Sequence, residues 1–111
     1  MSQHSDILAR LMAVIQDRKA NPTERSYTTS LLRGGVDKIG AKILEEAQEV
    51  VEAAQASDEA GQQQLIHEAA DLIYHLCVLL GFREVQIDQV YTELARRFGV
   101  SGIDEKESRL S

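Results

Sequence analysis

Residues 36–80 read VDKIGAKILEEAQEVVEAAQASDEAGQQQLIHEAADLIYHLCVLL, and this stretch decides the fold. Ile39, Ile43, Ala47, Val50 and Ala54 recur at steps of three and four, which predicts an amphipathic helix from about Val36 to Ala56. Ser57-Asp58-Glu59-Ala60-Gly61 reads as a turn, and a further helix is expected from about Gln62 to Leu80, stopped by Gly81. That helix is apolar nearly all round, through Leu65, Ile66, Ala69, Leu72, Ile73, Leu76, Cys77, Val78, Leu79 and Leu80, so it is expected to be buried. Two long helices joined by a short turn form an antiparallel hairpin.

Outward from the hairpin the pattern stays helical. Asp6 to Arg18 places Ile7, Leu11, Val14 and Ile15 at helical spacing, with Ser5 as the expected cap and Asn21-Pro22-Thr23 as the stop. Ser26 to Gly34 offers hydroxyls to cap a short helix, and Gly34-Gly35 ends it. Val85 to Phe98 sets Ile87, Val90, Tyr91, Leu94 and Phe98 on one face before Gly99. Residues 100–111 show no sustained period, so a tail or a segment ordered by contact is expected there.

Composition agrees with a single all-α domain: 111 residues, 43% hydrophobic and 27% charged, with one proline and no tryptophan. A lone cysteine excludes an internal disulfide, and no unbroken run reaches the ~18 apolar residues of a spanning helix. The opening residues lack a basic-then-apolar leader, so the cytoplasm is the expected location, with no membrane partner. A net charge of −6 argues against nonspecific nucleic-acid binding.

The charge distribution says more than the total. Between Lys42 and Arg83 there is no Lys or Arg, yet Glu45, Glu46, Glu49, Glu52, Asp58, Glu59, Glu68 and Asp71 all fall there. Glu46 borders the apolar stripe of its helix, and Glu68, Asp71 and His75 stack on one side of a helix that should be buried. A hairpin centred between Asp58 and Glu59 sets Glu49 level with Glu68, Glu46 with Asp71, and Lys42 with His75. Four carboxylates converging between two helices need a cation to remain ionised. All-oxygen ligation favours Mg²⁺ or Mn²⁺ over zinc, with positions left for water and phosphate oxygens. The plainer alternative is a solvated acidic face. A di-iron carboxylate bundle is discounted, because its Glu-x-x-His pairs are missing.

Glu45-Glu46-x-x-Glu49 followed by Glu68-x-x-Asp71 resembles the all-α nucleoside triphosphate pyrophosphohydrolases, the MazG-like superfamily. Within it, Ser26-Tyr27-Thr28, the run 38–47, Glu68-Ala69-Ala70-Asp71-Leu72-Ile73-Tyr74-His75 and the segment 101–109 are similar to the phosphoribosyl-ATP pyrophosphohydrolases of histidine biosynthesis. The resemblance implies hydrolysis of the α–β phosphoanhydride of 1-(5-phosphoribosyl)-ATP with Mg²⁺, by a monofunctional chain in a bundle completed by homodimerisation. It implies Glu46, Glu49, Glu68 and Asp71 as metal ligands, with Glu45 and Glu46 as the catalytic carboxylates.

Around that set, Lys42 is read as a phosphate contact or an i+4 partner of Glu46, and His75 as a partly buried group orienting the site. Tyr27 is a candidate contact to ribose or base, and Cys77 a core thiol. Lys106 and Arg109, three apart, suit the extra phosphate of phosphoribosyl-ATP if 101–109 turns once as a helix. His4 and His67 are assigned to the surface, and Gly34-Gly35 does not make a P-loop. The competing readings are a housecleaning nucleotide pyrophosphatase of the same superfamily and a noncatalytic helical dimerisation module.

Overall fold

The computed structural model describes residues 6–99. Four helices follow one another, α1 (Ile7–Ala20), α2 (Tyr27–Ala54), α3 (Glu59–Phe82) and α4 (Ile87–Phe98), with no strand among the described residues. The antiparallel pair α2–α3 is the main contact, α1 lies across both, and α4 packs against α1.

Each boundary has a local cause. The Ser26 side chain accepts a hydrogen bond from the Thr29 N–H at 3.1 Å and starts α2 as expected. The short helix and the long one both form, but they run on as a single element kinked at Gly35, where φ is 69° and ψ is −163°. Only glycine occupies that region without strain. Asp58 caps α3 by accepting from the Gly61 N–H at 2.8 Å, so Glu59, Ala60 and Gly61 are the first turn of the helix and not a loop. Gly61 acts by close approach: a Cβ there would lie 2.5 Å from the Ala56 carbonyl oxygen. At the other end of α3, Lys19 donates to the carbonyls of Gly81 and Phe82, both at 3.1 Å, and pairs with Glu84. This satisfies helix-end carbonyls and ties α1 to the turn, where Glu84 takes a positive φ of 62°. The expected Ser5 cap lies outside the described residues, and Asp6 makes no side-chain cap bond.

The core is Met12, Ile15, Leu31, Ile39, Cys77 and Val78, flanked by Leu8, Leu11, Ile43, Tyr74 and Phe82. Fully burying one such aliphatic side chain stabilises the fold by about 1.5–3 kcal/mol. α1 therefore points Met12 and Ile15 inward, while Ile7 and Val14, expected on the buried face, are about half exposed. Cys77 is buried, and burial pushes its thiol pKa up. It is a core thiol, as expected.

α3 departs from the sequence reading in two ways. By length and composition it is apolar enough to cross a membrane, although no unbroken apolar run suggested so. Its side toward α2 nevertheless buries Glu68 and His75, which marks a core helix of a polar site. The other difference is that α3 is not buried all round. Ile66, Ile73 and Leu76 on α3, and Val36, Leu44 and Val51 on α2, are each at least 45% exposed.

Replacing Gly35 by Ala should lower stability by about 1–3 kcal/mol through backbone strain alone, since the added Cβ meets nothing nearer than Phe82 Cζ at 3.7 Å. Denaturant unfolding checks this; an unchanged midpoint would remove Gly35 as the conformational hinge of α2.

Candidate active site

α2 and α3 face each other with their acidic positions at one level. Ligand oxygens of Glu46, Glu49 and Glu68 all lie within 4.8 Å of one another. Glu46 and Glu68 are each only 6% exposed. Gln64 donates to Glu68 Oε1 at 2.8 Å, but Glu68 Oε2 and Glu46 Oε2 are buried without a partner. Such carboxylate oxygens lose hydration and gain nothing in return, at a cost of several kcal/mol per ion. Hydrogen bonding with the neighbouring Glu68 carboxyl, then desolvation and the Glu68 and Glu45 charges, raises the Glu49 pKa above its usual range, and Glu46 opposes the shift. The carboxylates border a cleft of about 300 Å³ lined by Glu49, Glu52, Ala53, Gln64 and Glu68. A roomier cavity of about 410 Å³ between α1 and the α3–α4 turn gathers no comparable set of charges.

Buried acceptors without donors suit a hard divalent cation, and Glu46, Glu49 and Glu68 supply oxygens for one. Asp71 stands apart from this trio. Its Oδ2 lies 3.3 Å from Nε2 of His67, in a second group made of His67, Glu68 and Asp71. The hairpin arithmetic thus places Asp71 on the right side of α3 but does not bring its carboxylate to Glu46 and Glu49.

Next to the carboxylates an aromatic seam joins the start of α2 to α3. His75, 4% exposed, has Nδ1 2.8 Å from the Asp71 backbone carbonyl and Nε2 3.0 Å from the Tyr27 hydroxyl. A carbonyl only accepts, so Nδ1 carries the proton in the neutral ring and Nε2 accepts from the Tyr27 O–H. The remaining lone pairs of the Tyr27 oxygen can then only accept. Tyr27 stacks on Tyr74 with centroids 6.3 Å apart, and the Thr28 hydroxyl bonds the Tyr74 hydroxyl. Desolvation raises the Tyr27 pKa, with the nearby Lys42 charge opposing it.

Lys42 bonds Glu45 at 3.2 Å and not Glu46, so of its two readings the i+4 pairing gives way to an i+3 one. That hydrogen bond to Glu45 raises the Lys42 pKa. Lys106 and Arg109 lie outside the described residues. Gln64 and His67 were not among the expected site residues. Each stands four residues before a carboxylate of the set, Gln64 before Glu68 and His67 before Asp71, and that i, i+4 spacing is the signal that could have found them.

An all-helical chain whose central antiparallel pair carries facing carboxylates has the architecture of the MazG-like class. A family model described as phosphoribosyl-ATP pyrophosphohydrolase matches residues 8–98, and the chain belongs to that family. A phosphoribosyl-ATP pyrophosphatase of Rhodopirellula baltica is 54% identical over 102 residues, covering 92% of this chain and 85% of that protein. One from Geotalea daltonii is 51% identical over 106 residues, covering 96% and 97%. Another, from Pelobacter propionicus, is 46% identical over 109 residues and covers 98% of both chains.

Proposed function

We propose that this protein hydrolyses 1-(5-phosphoribosyl)-ATP to 1-(5-phosphoribosyl)-AMP and pyrophosphate with Mg²⁺, the second step of histidine biosynthesis. Family membership supports the reaction, and the observation that carries the metal is the pair of buried, partnerless oxygens on Glu46 and Glu68. Mn²⁺ would satisfy the same oxygens.

Glu46, Glu49, Glu68 and Asp71 are the proposed metal ligands, the first three as they stand and Asp71 once its side chain turns from His67. A divalent ion held there would neutralise phosphate oxygens and make a nearby water easier to deprotonate. Glu45, next in the chain to Glu46 and held by Lys42, is the proposed group that orients the attacking water and takes its proton. Water adds to phosphorus, and the bond to the bridging oxygen between the α and β phosphates breaks to release pyrophosphate. Lys42 can leave Glu45 for a phosphate oxygen at little cost, because the pair is largely exposed. His75 holds Tyr27 in place, and the acceptor-only Tyr27 oxygen suits a ribose hydroxyl or an adenine amino group. Lys106 and Arg109 are proposed to receive the added ribose's phosphate.

The chain is proposed to act as a homodimer in the cytoplasm, without a membrane or nucleic-acid partner. On α3 the positions Ile66, Ala69, Ile73, Leu76 and Leu80 form a stripe at alternating steps of three and four, and three of them are exposed. With Val36, Leu44 and Val51 on α2 they present the face that a second hairpin would cover in a four-helix bundle.

Three measurements test the proposal. Pyrophosphate release should be far faster from phosphoribosyl-ATP than from a panel of nucleoside triphosphates, abolished by EDTA and restored by Mg²⁺. Glu49→Gln and Asp71→Asn should each lower turnover by orders of magnitude while thermal stability stays level or rises. A housecleaning enzyme would prefer a member of the panel, and a noncatalytic module would release nothing. Sedimentation at micromolar concentration should show a dimer; a stable folded monomer contradicts the assembly.

A further inference from the structure

Gly34 and Lys38 stand on either side of the kink in α2, and neither has a part in the chemistry described so far. Lys38 folds back across the kink: its Nζ donates to the Ser30 hydroxyl at 2.5 Å and lies 3.5 Å from the Ser30 carbonyl oxygen. The stem of the side chain runs over the Gly34 backbone, where a Cβ would stand 2.4 Å from Lys38 Cδ and 2.5 Å from Lys38 Cβ. Gly35 is glycine for its backbone angle, whereas Gly34 is glycine so that Lys38 can lie where it does. The ammonium held this way meets only uncharged acceptors. Among the described residues it forms no ion pair, while Lys42, one turn on, is bonded to Glu45.

Its place on the helix gives that charge a use. At about 100° per residue, Lys38, Lys42, Glu45 and Glu49 fall within an arc of about 60° beyond the kink, and Tyr27, Ser30 and Gly34 within a similar arc before it. The Lys38–Ser30 bond joins the two arcs into one edge of α2. Tyr27 reaches His75 from that edge, and its pKa responds to the charges of Lys42, Glu45 and Glu46, so it reaches in beside the carboxylates. Lys38 starts about 12 Å of helix before Glu46, and its side chain turns back toward Ser30, farther out still.

From this arrangement we infer that Lys38, set by Gly34 and steadied by Ser30, receives the phosphate on the added ribose of phosphoribosyl-ATP and so helps to select that substrate. The inference rests on the proposed reaction. That substrate carries phosphate at both ends, with a ribose, the base and the second ribose between them. The triphosphate end must lie at the carboxylates, where the α–β bond is cut, so the other end needs a cation on the same edge and well removed from them. Exchanging the neutral Ser30 hydroxyl for a phosphate oxygen strengthens the bond that Lys38 makes. Lys106 and Arg109 are proposed for the same group, whose several oxygens accept more than one cation.

Pyrophosphate release by the full chain with Mg²⁺ tests this on two compounds, phosphoribosyl-ATP and 1-ribosyl-ATP, which lacks only the added phosphate. Lys38→Met keeps the stem and removes the charge. It should raise KM for phosphoribosyl-ATP by about 10- to 100-fold with kcat nearly unchanged, and leave KM for 1-ribosyl-ATP where it was. Lys38→Arg should recover part of the loss, and Gly34→Ala, which displaces the charge without removing it, should show the same split. Arg10→Met, which removes an exposed cation from α1, should change neither KM. Equal rises on both compounds would put Lys38 on the triphosphate, and no rise on either would leave it a solvated side chain; each overturns the assignment while the proposed reaction stands. Wild-type release from nucleoside triphosphates but not from phosphoribosyl-ATP overturns the reaction and this contact with it.

Discussion

Two carboxylate oxygens, Glu46 Oε2 and Glu68 Oε2, sit out of water between α2 and α3 with nothing to bond to. Removing an ionised carboxylate from solvent costs several kcal/mol even after the surroundings relax. The hairpin bears that cost twice within one small site, and no Lys or Arg interrupts the stretch between Lys42 and Arg83 to relieve it. The donors match a divalent cation, the ligand proposed for this site. The rest of the fold is arranged so that this unfavourable pair stays in place.

Three features hold it. Gly35 bends α2, so the first turns carrying Tyr27 and Thr28 lean on α3 while the later turns present Glu46 and Glu49. Bonds from Tyr27 to His75 and from Thr28 to Tyr74 fasten that lean. At the far end, Gly61 lets the backbone of α3 approach Ala56 closely, which fixes how the two helices align at the turn and thus the level at which Glu49 meets Glu68. The aliphatic core of Ile15, Leu31, Ile39 and Val78, shared by α1, α2 and α3, supplies the stability that the polar layer withholds.

Much of this is legible in the sequence because periodicity and hairpin register are geometric. The steps of Ile39, Ile43, Ala47, Val50 and Ala54 locate α2, and the sum of residue numbers across the turn pairs Glu49 with Glu68. What is not legible depends on side-chain direction. Register places Asp71 opposite Glu46, but its rotamer sends the carboxylate to His67, one turn back on its own helix. Lys42 chooses Glu45 over Glu46 for a similar reason: Glu46 is drawn into the helix interface while Glu45 stays at its rim. Asp58 shows a different limit. A Ser-Asp-Glu-Ala-Gly run looks like a loop by composition, yet Asp58 with the Gly61 N–H is a helix start, and the glycine serves packing. The exposed stripes on α2 and α3 also escape a reading of one chain, since apolar pattern marks a face that must be covered without saying by what.

If the buried carboxylates are held for a cation, thermal unfolding will register its binding. At fixed protein concentration the metal-free chain should melt at a temperature that rises with added Mg²⁺, the gain reaching about 2.7 kcal/mol when Mg²⁺ is a hundredfold above its dissociation constant. The double variant Glu46→Gln, Glu68→Gln should melt no lower than the metal-free wild type and should not respond to Mg²⁺. A wild-type melting temperature that neither Mg²⁺ nor Mn²⁺ moves at millimolar concentration would contradict the account.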